Sequence, residues 1–311
     1  MISSFFSKTK PINYAVVVFF LLVFYLSNFF IVKGAIDNLL VTLFFFMSLL
    51  FHVFVVQEIV RTKKTTNATS FAMLFFVLLC MSIPKVIGAK EVVFCNLFLI
   101  LALNRLLALR SLTQVKQKIF DASLWVCVAS IFDPWALFFL LVVFLAVYVY
   151  GTREFKNWLV PIAAISVFTL LITSFLSVTK NIEFLQNHYL IGISPNFFQE
   201  FISNFNLKPF LYIAAILVII SIVFIKQGYQ GVGRIVHLRL LLIYFLVSIL
   251  IFCVQNTTSN NYMILMYSFF PAAVFATNFL ETIKRKRLKE IMLLSCFVVP
   301  FGLLIIDLVK K

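Results

Sequence analysis

The side chains of this sequence that could do chemistry are few, and most are acidic. Asp37 and Asp133 stand in short connections between apolar runs, and Glu91, Glu183 and Glu200 fall on the same side by the alternation described below. A carboxylate so placed can serve as a general base or hold a metal ion over a bound substrate. Lys180 and Lys208 flank the longest of these connections, where an ammonium group can neutralise a phosphate, and His188 lies between them. Asp37 and Asp133 as catalytic groups, with Lys180, His188 and Lys208 as substrate-binding groups, would describe a site for a phosphate-bearing lipid or lipid-linked glycan.

Other chemistries lack their residues. Gly228, Gly231 and Gly233 form a glycine-rich stretch, but no Gly-Lys-Ser/Thr follows, so a phosphate-binding loop is not expected. The three histidines, His52, His188 and His237, fall in separate segments and do not make a metal set. Cys80, Cys95, Cys127, Cys253 and Cys296 all lie in apolar runs as small packing residues. Neither metal nor cofactor is expected. Ionisable groups inside apolar runs are functional candidates by default, because charge is costly in lipid. Here they read more simply: His52 as a neutral hydrogen-bonded core residue, Glu58 paired with Arg61, and Asp307 reaching the interface beside Lys310 or Lys311. Asn96 and Asn104, eight residues apart on one helical face, are expected to bridge helices.

The elements that position these groups follow from composition. The 311 residues are 63% hydrophobic and 12% charged, with 40 phenylalanines. A soluble domain is about 45–50% apolar and about 25% charged. Too little polar surface remains to cover a water-soluble globule, which excludes soluble enzyme folds, disulfide scaffolds and disordered tails. A membrane-crossing helix needs about 20 apolar residues. Such runs occur at 14–32, 39–60, 70–87, 91–109, 119–132, 135–150, 158–178, 209–226, 240–255, 262–281 and 290–308. The expected fold is an all-α polytopic bundle of about 11 transmembrane helices, a single integral-membrane domain over 1–311. The first run is expected to stay as an anchor, since Lys33 would occupy the −3 position of a cut after Ala35.

Residues 119–150 are too long for one crossing, and Asp133-Pro134 sits at their middle. Proline removes an amide donor and turns its predecessor out of the α region, so a short helical hairpin with its apex at residues 132–135 is predicted. The connection 179–208 is the longest. Ser194-Pro195 there resembles a helix start, and Phe197, Phe198, Phe201, Ile202 and Phe205 recur at helical spacing opposite Asn196, Gln199, Glu200, Ser203 and Asn204. That pattern predicts an amphipathic helix lying in the headgroup plane.

Orientation follows from the excess of Lys and Arg in cytoplasmic connections. With the N-terminus inside, 19 of the 26 Lys and Arg residues fall on the inner side and 7 on the outer. The carboxylates named first then face out. A net charge of +15 spread over short membrane-edge segments points to anionic headgroups and not to nucleic acid. Lys284, Arg285, Lys286, Arg287 and Lys289 form the one dense basic patch, a candidate lipid-headgroup site.

Several stretches carry a resemblance. Residues 1–6 (Met-Ile-Ser-Ser-Phe-Phe), 104–111 (Asn-Arg-Leu-Leu-Ala-Leu-Arg-Ser), 118–123 (Lys-Ile-Phe-Asp-Ala-Ser) and 156–161 (Lys-Asn-Trp-Leu-Val-Pro) resemble an uncharacterised family of bacterial polytopic inner-membrane proteins. The resemblance covers nearly the whole chain, best over 96–162, and implies a bacterial inner-membrane location without an activity. A basic inner loop, a hairpin with an outer apex and a second basic loop are also similar to the core of the GT-C membrane glycosyltransferases. That similarity implies handling of polyprenyl-linked glycan by acidic residues of the first outer loop. Here that loop is Lys33–Asn38 with Asp37 alone, and it departs from a paired acidic motif. A non-enzymatic envelope scaffold or assembly component, with membrane lipids and an envelope protein as partners, ranks first. GT-C-like glycan or lipid handling ranks second and transport third.

Overall fold

In hydrocarbon, an unpartnered backbone N–H or C=O costs several kcal/mol, and a helix satisfies all but its ends internally. The computed structural model is built from helices accordingly. It describes residues 2–32, 39–67, 69–83, 89–150, 154–190, 207–227, 232–258 and 262–309, and all regular structure among them is helical. The α-helices are α1 (Ile2–Phe5), α2 (Pro11–Val32), α3 (Leu39–Lys63), α4 (Phe71–Ser82), α5 (Lys90–Leu107), α6 (Val115–Ala129) and α7 (Leu140–Val149). They continue as α8 (Phe155–Val178), α9 (Glu183–His188), α10 (Leu207–Gln227), α11 (Val232–Thr258), α12 (Phe269–Thr282) and α13 (Lys286–Val309). Short 3-10 helices η1 (Ala108–Ser111), η2 (Pro134–Phe139) and η3 (Tyr262–Ser268) lead into or out of α5, α7 and α12.

Each of the eleven apolar runs contains a helix. Among the described residues six stretches are long and apolar enough to cross a membrane: Leu43–Lys63, Lys90–Ser111, Phe155–Val178, Leu207–Lys226, Arg234–Gln255 and Tyr262–Thr282. The protein is therefore all-helical with the make-up of a membrane protein. Helix α4 is shorter than its apolar run; its 12 residues span about 18 Å, less than the ~30 Å hydrocarbon core. Residues 84–88 of that run, and the proposed amphipathic helix 194–205, lie outside the described residues.

The chain divides into two compact units, residues 1–93, 208–235 and 268–311 in one, and 94–207 and 236–267 in the other. In the first, α4 is the core. Phe71 to Leu78, Cys80 and Met81 are all buried, as befits a helix apolar on every side, with α2, α3, α12 and α13 packed around it. Ser70, just ahead of α4, does not cap it. Its hydroxyl donates to the Lys8 carbonyl and accepts from Asn13 Nδ2 at 3.0 Å, while its N–H donates to the Phe6 carbonyl. These bonds pin the N-terminal segment, and Phe6 packs buried near Phe71.

A part-buried ion pair closes the same unit. Arg234 Nη2 stands 2.9 Å from Glu281 Oε2, with 18% and 6% of the two side chains exposed. Glu281 also accepts from the Asn67 N–H and the Thr69 hydroxyl, and Arg234 Nε donates to the Thr65 carbonyl. The loop before α4 is thereby tied to the ends of α11 and α12.

In the second unit α6 and α8 lie side by side, and η2 and α7 turn back along α6, giving the hairpin its expected break. Phe98 stacks between Trp125 and Phe132, which join α5 to the hairpin. At the entry to α6, Lys118 Nζ donates to the Ala108 carbonyl and the Ser111 and Thr113 hydroxyls, and Arg105 pairs with Asp121 at 3.4 Å.

Candidate functional site

The hairpin apex is where the sequence places a carboxylate beside a proline, and the local chain explains its geometry. Helix α6 unwinds after Ala129, with the Phe132 and Asp133 N–H groups both donating to the Ala129 carbonyl. Asp133 is extended (φ −141°, ψ 113°), and its Oδ1 accepts from the Trp135 N–H at 3.1 Å, the bond of an N-cap with proline at the first helical position. Two more donors arrive from distant chain segments. Gln255 Nε2 donates to the same Oδ1 at 2.9 Å, and the Tyr267 hydroxyl donates to Oδ2 at 2.7 Å.

Asp133 is 8% exposed. It does not present its carboxylate to solvent as an open apex would; it points inward and is saturated by three neutral donors. Burial pushes its pKa above the ordinary carboxylate range. The Tyr267 hydroxyl, the Trp135 N–H, the Gln255 amide and the neighbouring His188 all oppose that shift without cancelling it. The Cys95 thiol lies within hydrogen-bonding reach of Tyr267, and Phe139 packs edge-on to Tyr267 and at 4.6 Å from the Tyr244 ring. The Tyr244 hydroxyl is buried without a partner among the described residues.

His188 and Tyr189 close over the apex from α9. His188 Nε2–H donates to the Ser130 carbonyl at 2.9 Å, with its ring stacked on Phe184. Ser130 Oγ donates to the Cys127 carbonyl, so Tyr189 donates its own hydroxyl to Ser130 Oγ at 3.0 Å. Asp133 and the 179–190 part of the long connection therefore converge.

The other expected site residues are more scattered. Asp37 lies outside the described residues. Lys180 is exposed and in the left-handed region (φ 55°) at the end of α8. There its N–H donates to Ser177 and the Asn181 N–H to Leu176, the paired bonds of a helix stop. Its backbone role is thus structural. Lys208 is exposed at the start of α10 and belongs to the first unit, whereas Asp133 and His188 belong to the second.

The basic patch is divided by the fold. Lys284 and Arg285 line a cavity of about 400 Å³ in the first unit, together with Lys226 of α10 and the apolar side chains of Phe279, Leu288 and Met292. Lys286 and Arg287 are exposed. Lys289 turns to α4, with its Nζ 5.1 Å from the centre of the Phe71 ring.

Of the groups inside apolar runs, His52 is fully buried, donates Nδ1–H to the Ser48 carbonyl at 2.8 Å and stacks on Phe76. Glu58 pairs with Arg61 at 3.6 Å, both half exposed. Asn96 does not bridge helices: neither side-chain atom has a partner among the described residues. The side chain of Asp307 and the glycines at 228 and 231 are outside the described set.

Sequence reading missed Tyr267 and Gln255 as partners of Asp133, Arg234 with Glu281, and Lys226 as a cavity residue. A polar signal existed for Gln255, an amide at the end of an apolar run. No spacing links 133 to 255 and 267, or 234 to 281. Comparison of the chain with protein-family models, curated proteins and solved structures finds no match.

Proposed function

We propose that this chain is a multi-pass protein of the bacterial inner membrane that acts as a non-enzymatic envelope scaffold or assembly component, binding a partner helix within the bilayer. The topology assumed is the eleven-helix alternation with a cytoplasmic N-terminus and the hairpin apex outside. The observation that carries the reading is the outward face of α8. Only 17% of its apolar window is buried; Asn157, Pro161 and Ala164 pack on one side of its first half, and Leu176 is the buried residue near its end. The other side presents Ser166, Thr169, Thr173 and Ser177, whose spacing places them on one stripe. Each hydroxyl donates to a carbonyl of its own helix, so the stripe is stable in lipid, and it is flanked by the exposed apolar side chains of Ile162 and Leu170. Lipid alone asks for nothing but apolar surface, whereas small hydroxyl residues let helix backbones approach. The Asp133 carboxylate supports the same reading, since its three donors hold it inside its own unit.

Replacing Thr169, Thr173 and Ser177 together by Leu is expected to abolish recovery of the partner in mild detergent while leaving the amount of chain in the membrane unchanged. Recovery of the wild-type chain as a bare monomer, without any stable partner, would sink the proposal.

The convergence of Asp133 with His188 and Tyr189 favours a second reading, GT-C-like handling of polyprenyl-linked glycan or lipid at the outer face. In that case Asp133→Asn changes cellular glycoconjugates; an unchanged profile ends it.

A further inference from the structure

The cavity beneath the basic patch has a composition that none of its residues explains alone. Lys226 ends α10, Lys284 and Arg285 form the link between α12 and α13, and Phe279, Leu288 and Met292 complete the wall. Three cations are thus brought to one opening from two places 58 residues apart in the sequence. Among the described residues none of the three is held in an ion pair, and the nearest carboxylate in sequence, Glu281, is consumed by Arg234. Their charge is therefore available to a ligand. The start of α13 adds unsatisfied N–H groups and the positive end of its dipole.

Basic residues at an inner membrane edge orient the chain wherever they stand; here three of them gather round one cavity, where like charges repel until an anion lies between them. The basic run is split: Lys284 and Arg285 line the cavity, Lys286 and Arg287 stand outside it, and Lys289 is engaged with Phe71. The wall is apolar where it runs along α12 and α13 and cationic at the rim. A ligand that satisfies both parts has a phosphate at one end and hydrocarbon at the other.

We infer that the cavity lined by Lys226, Lys284 and Arg285 binds the phosphate group of an anionic phospholipid, with an acyl chain against Phe279, Leu288 and Met292. The inference is independent of the partner-binding role of α8, which lies in the other unit and contributes nothing to the cavity.

The test uses the full-length chain reconstituted with phosphatidylglycerol and cardiolipin in a phosphatidylcholine background. Lipid retained through detergent exchange is then counted by native mass spectrometry. Two variants remove equal charge: Lys226→Gln with Arg285→Gln inside the cavity, and Lys286→Gln with Arg287→Gln outside it. All four side chains are exposed, so both variants keep the fold. The cavity pair is expected to lose anionic-lipid retention by about tenfold to thirtyfold, the effect of two near-surface cations, while the outer pair stays close to wild type. Equal loss in both pairs would reveal diffuse surface charge and overturn the inference. Loss in neither would do the same. A third arm adds inorganic phosphate as competitor: failure to displace the lipid supports a lipid-borne phosphate, and displacement at equal concentration overturns it in favour of a soluble one.

Discussion

Asp133 is buried and Glu281 partly so, one in each compact unit, and their surroundings answer the charge in opposite ways. Glu281 faces a guanidinium and holds a formal ion pair with Arg234. Asp133 faces a phenol, an amide and a backbone N–H, with no cation bonded to it. The ion pair and the bonds from Asn67 and Thr69 make Glu281 a fixed clamp on the loop before α4. Burial raises the Asp133 pKa, and the neutral donors oppose that shift without cancelling it. Burial alone is therefore a poor sign of chemistry. What surrounds the buried charge decides whether it is a bolt or a titrating group.

The largest expected effect breaks the bolt. Glu281→Ala leaves the part-buried Arg234 without its counter-charge and strips the Asn67 N–H and Thr69 hydroxyl of an acceptor. A loss of about 3 kcal/mol is expected in detergent unfolding. The double change with Arg234→Met is expected to recover much of it, since removing both charges removes the unpaired one.

Next in size is Tyr267→Phe, which takes one donor from Asp133 and is expected to cost about 1–3 kcal/mol. Because the Tyr267 hydroxyl opposes the burial shift, its loss raises the Asp133 pKa further. The infrared carbonyl band of the protonated acid is expected to persist to higher pH than in the wild type. The sign for stability follows from the same shift. A raised carboxylate binds its proton more tightly when folded, so the Asp133 contribution is full below about pH 3.9, the unfolded value, and is lost as pH rises through the folded pKa.

Asp133→Asn should be milder, below about 1 kcal/mol, because asparagine is as good an N-cap and its oxygen still accepts from Trp135. If it proved as damaging as Glu281→Ala, the contrast between clamp and titrating group would be wrong. The smallest effect is expected at Lys289→Gln, which removes a cation from the Phe71 ring and costs about 0.5–1 kcal/mol. A double-mutant cycle with Phe71→Leu resolves it.

Much of the helical plan was legible. The apolar runs contain helices because a chain with so few charges leaves lipid as its solvent, and lipid admits backbone only as satisfied helix. The break at Asp133-Pro134 was legible for an equally local reason: proline lacks the N–H that continuation of α6 would need. His52 as a hydrogen-bonded core residue and Glu58 paired with Arg61 were within reach too, since both rest on contacts within one helix.

The site was less legible. Asp133 was recognisable as a candidate, but not as an inward-facing acceptor of Gln255 and Tyr267, and Asn96 and Asn104 gave a bridge that Asn96 does not make. The basic run at 284–289 was visible as charge, yet which two of its members would meet Lys226 at a cavity was not. Composition and local spacing determined what is governed by nearest neighbours along the chain: helix, break, cap and membrane character. The tertiary structure alone decided which donor saturates which carboxylate and which cations share an opening, because those choices join residues 47 to 134 positions apart and depend on how helices pack, which no period in the sequence encodes.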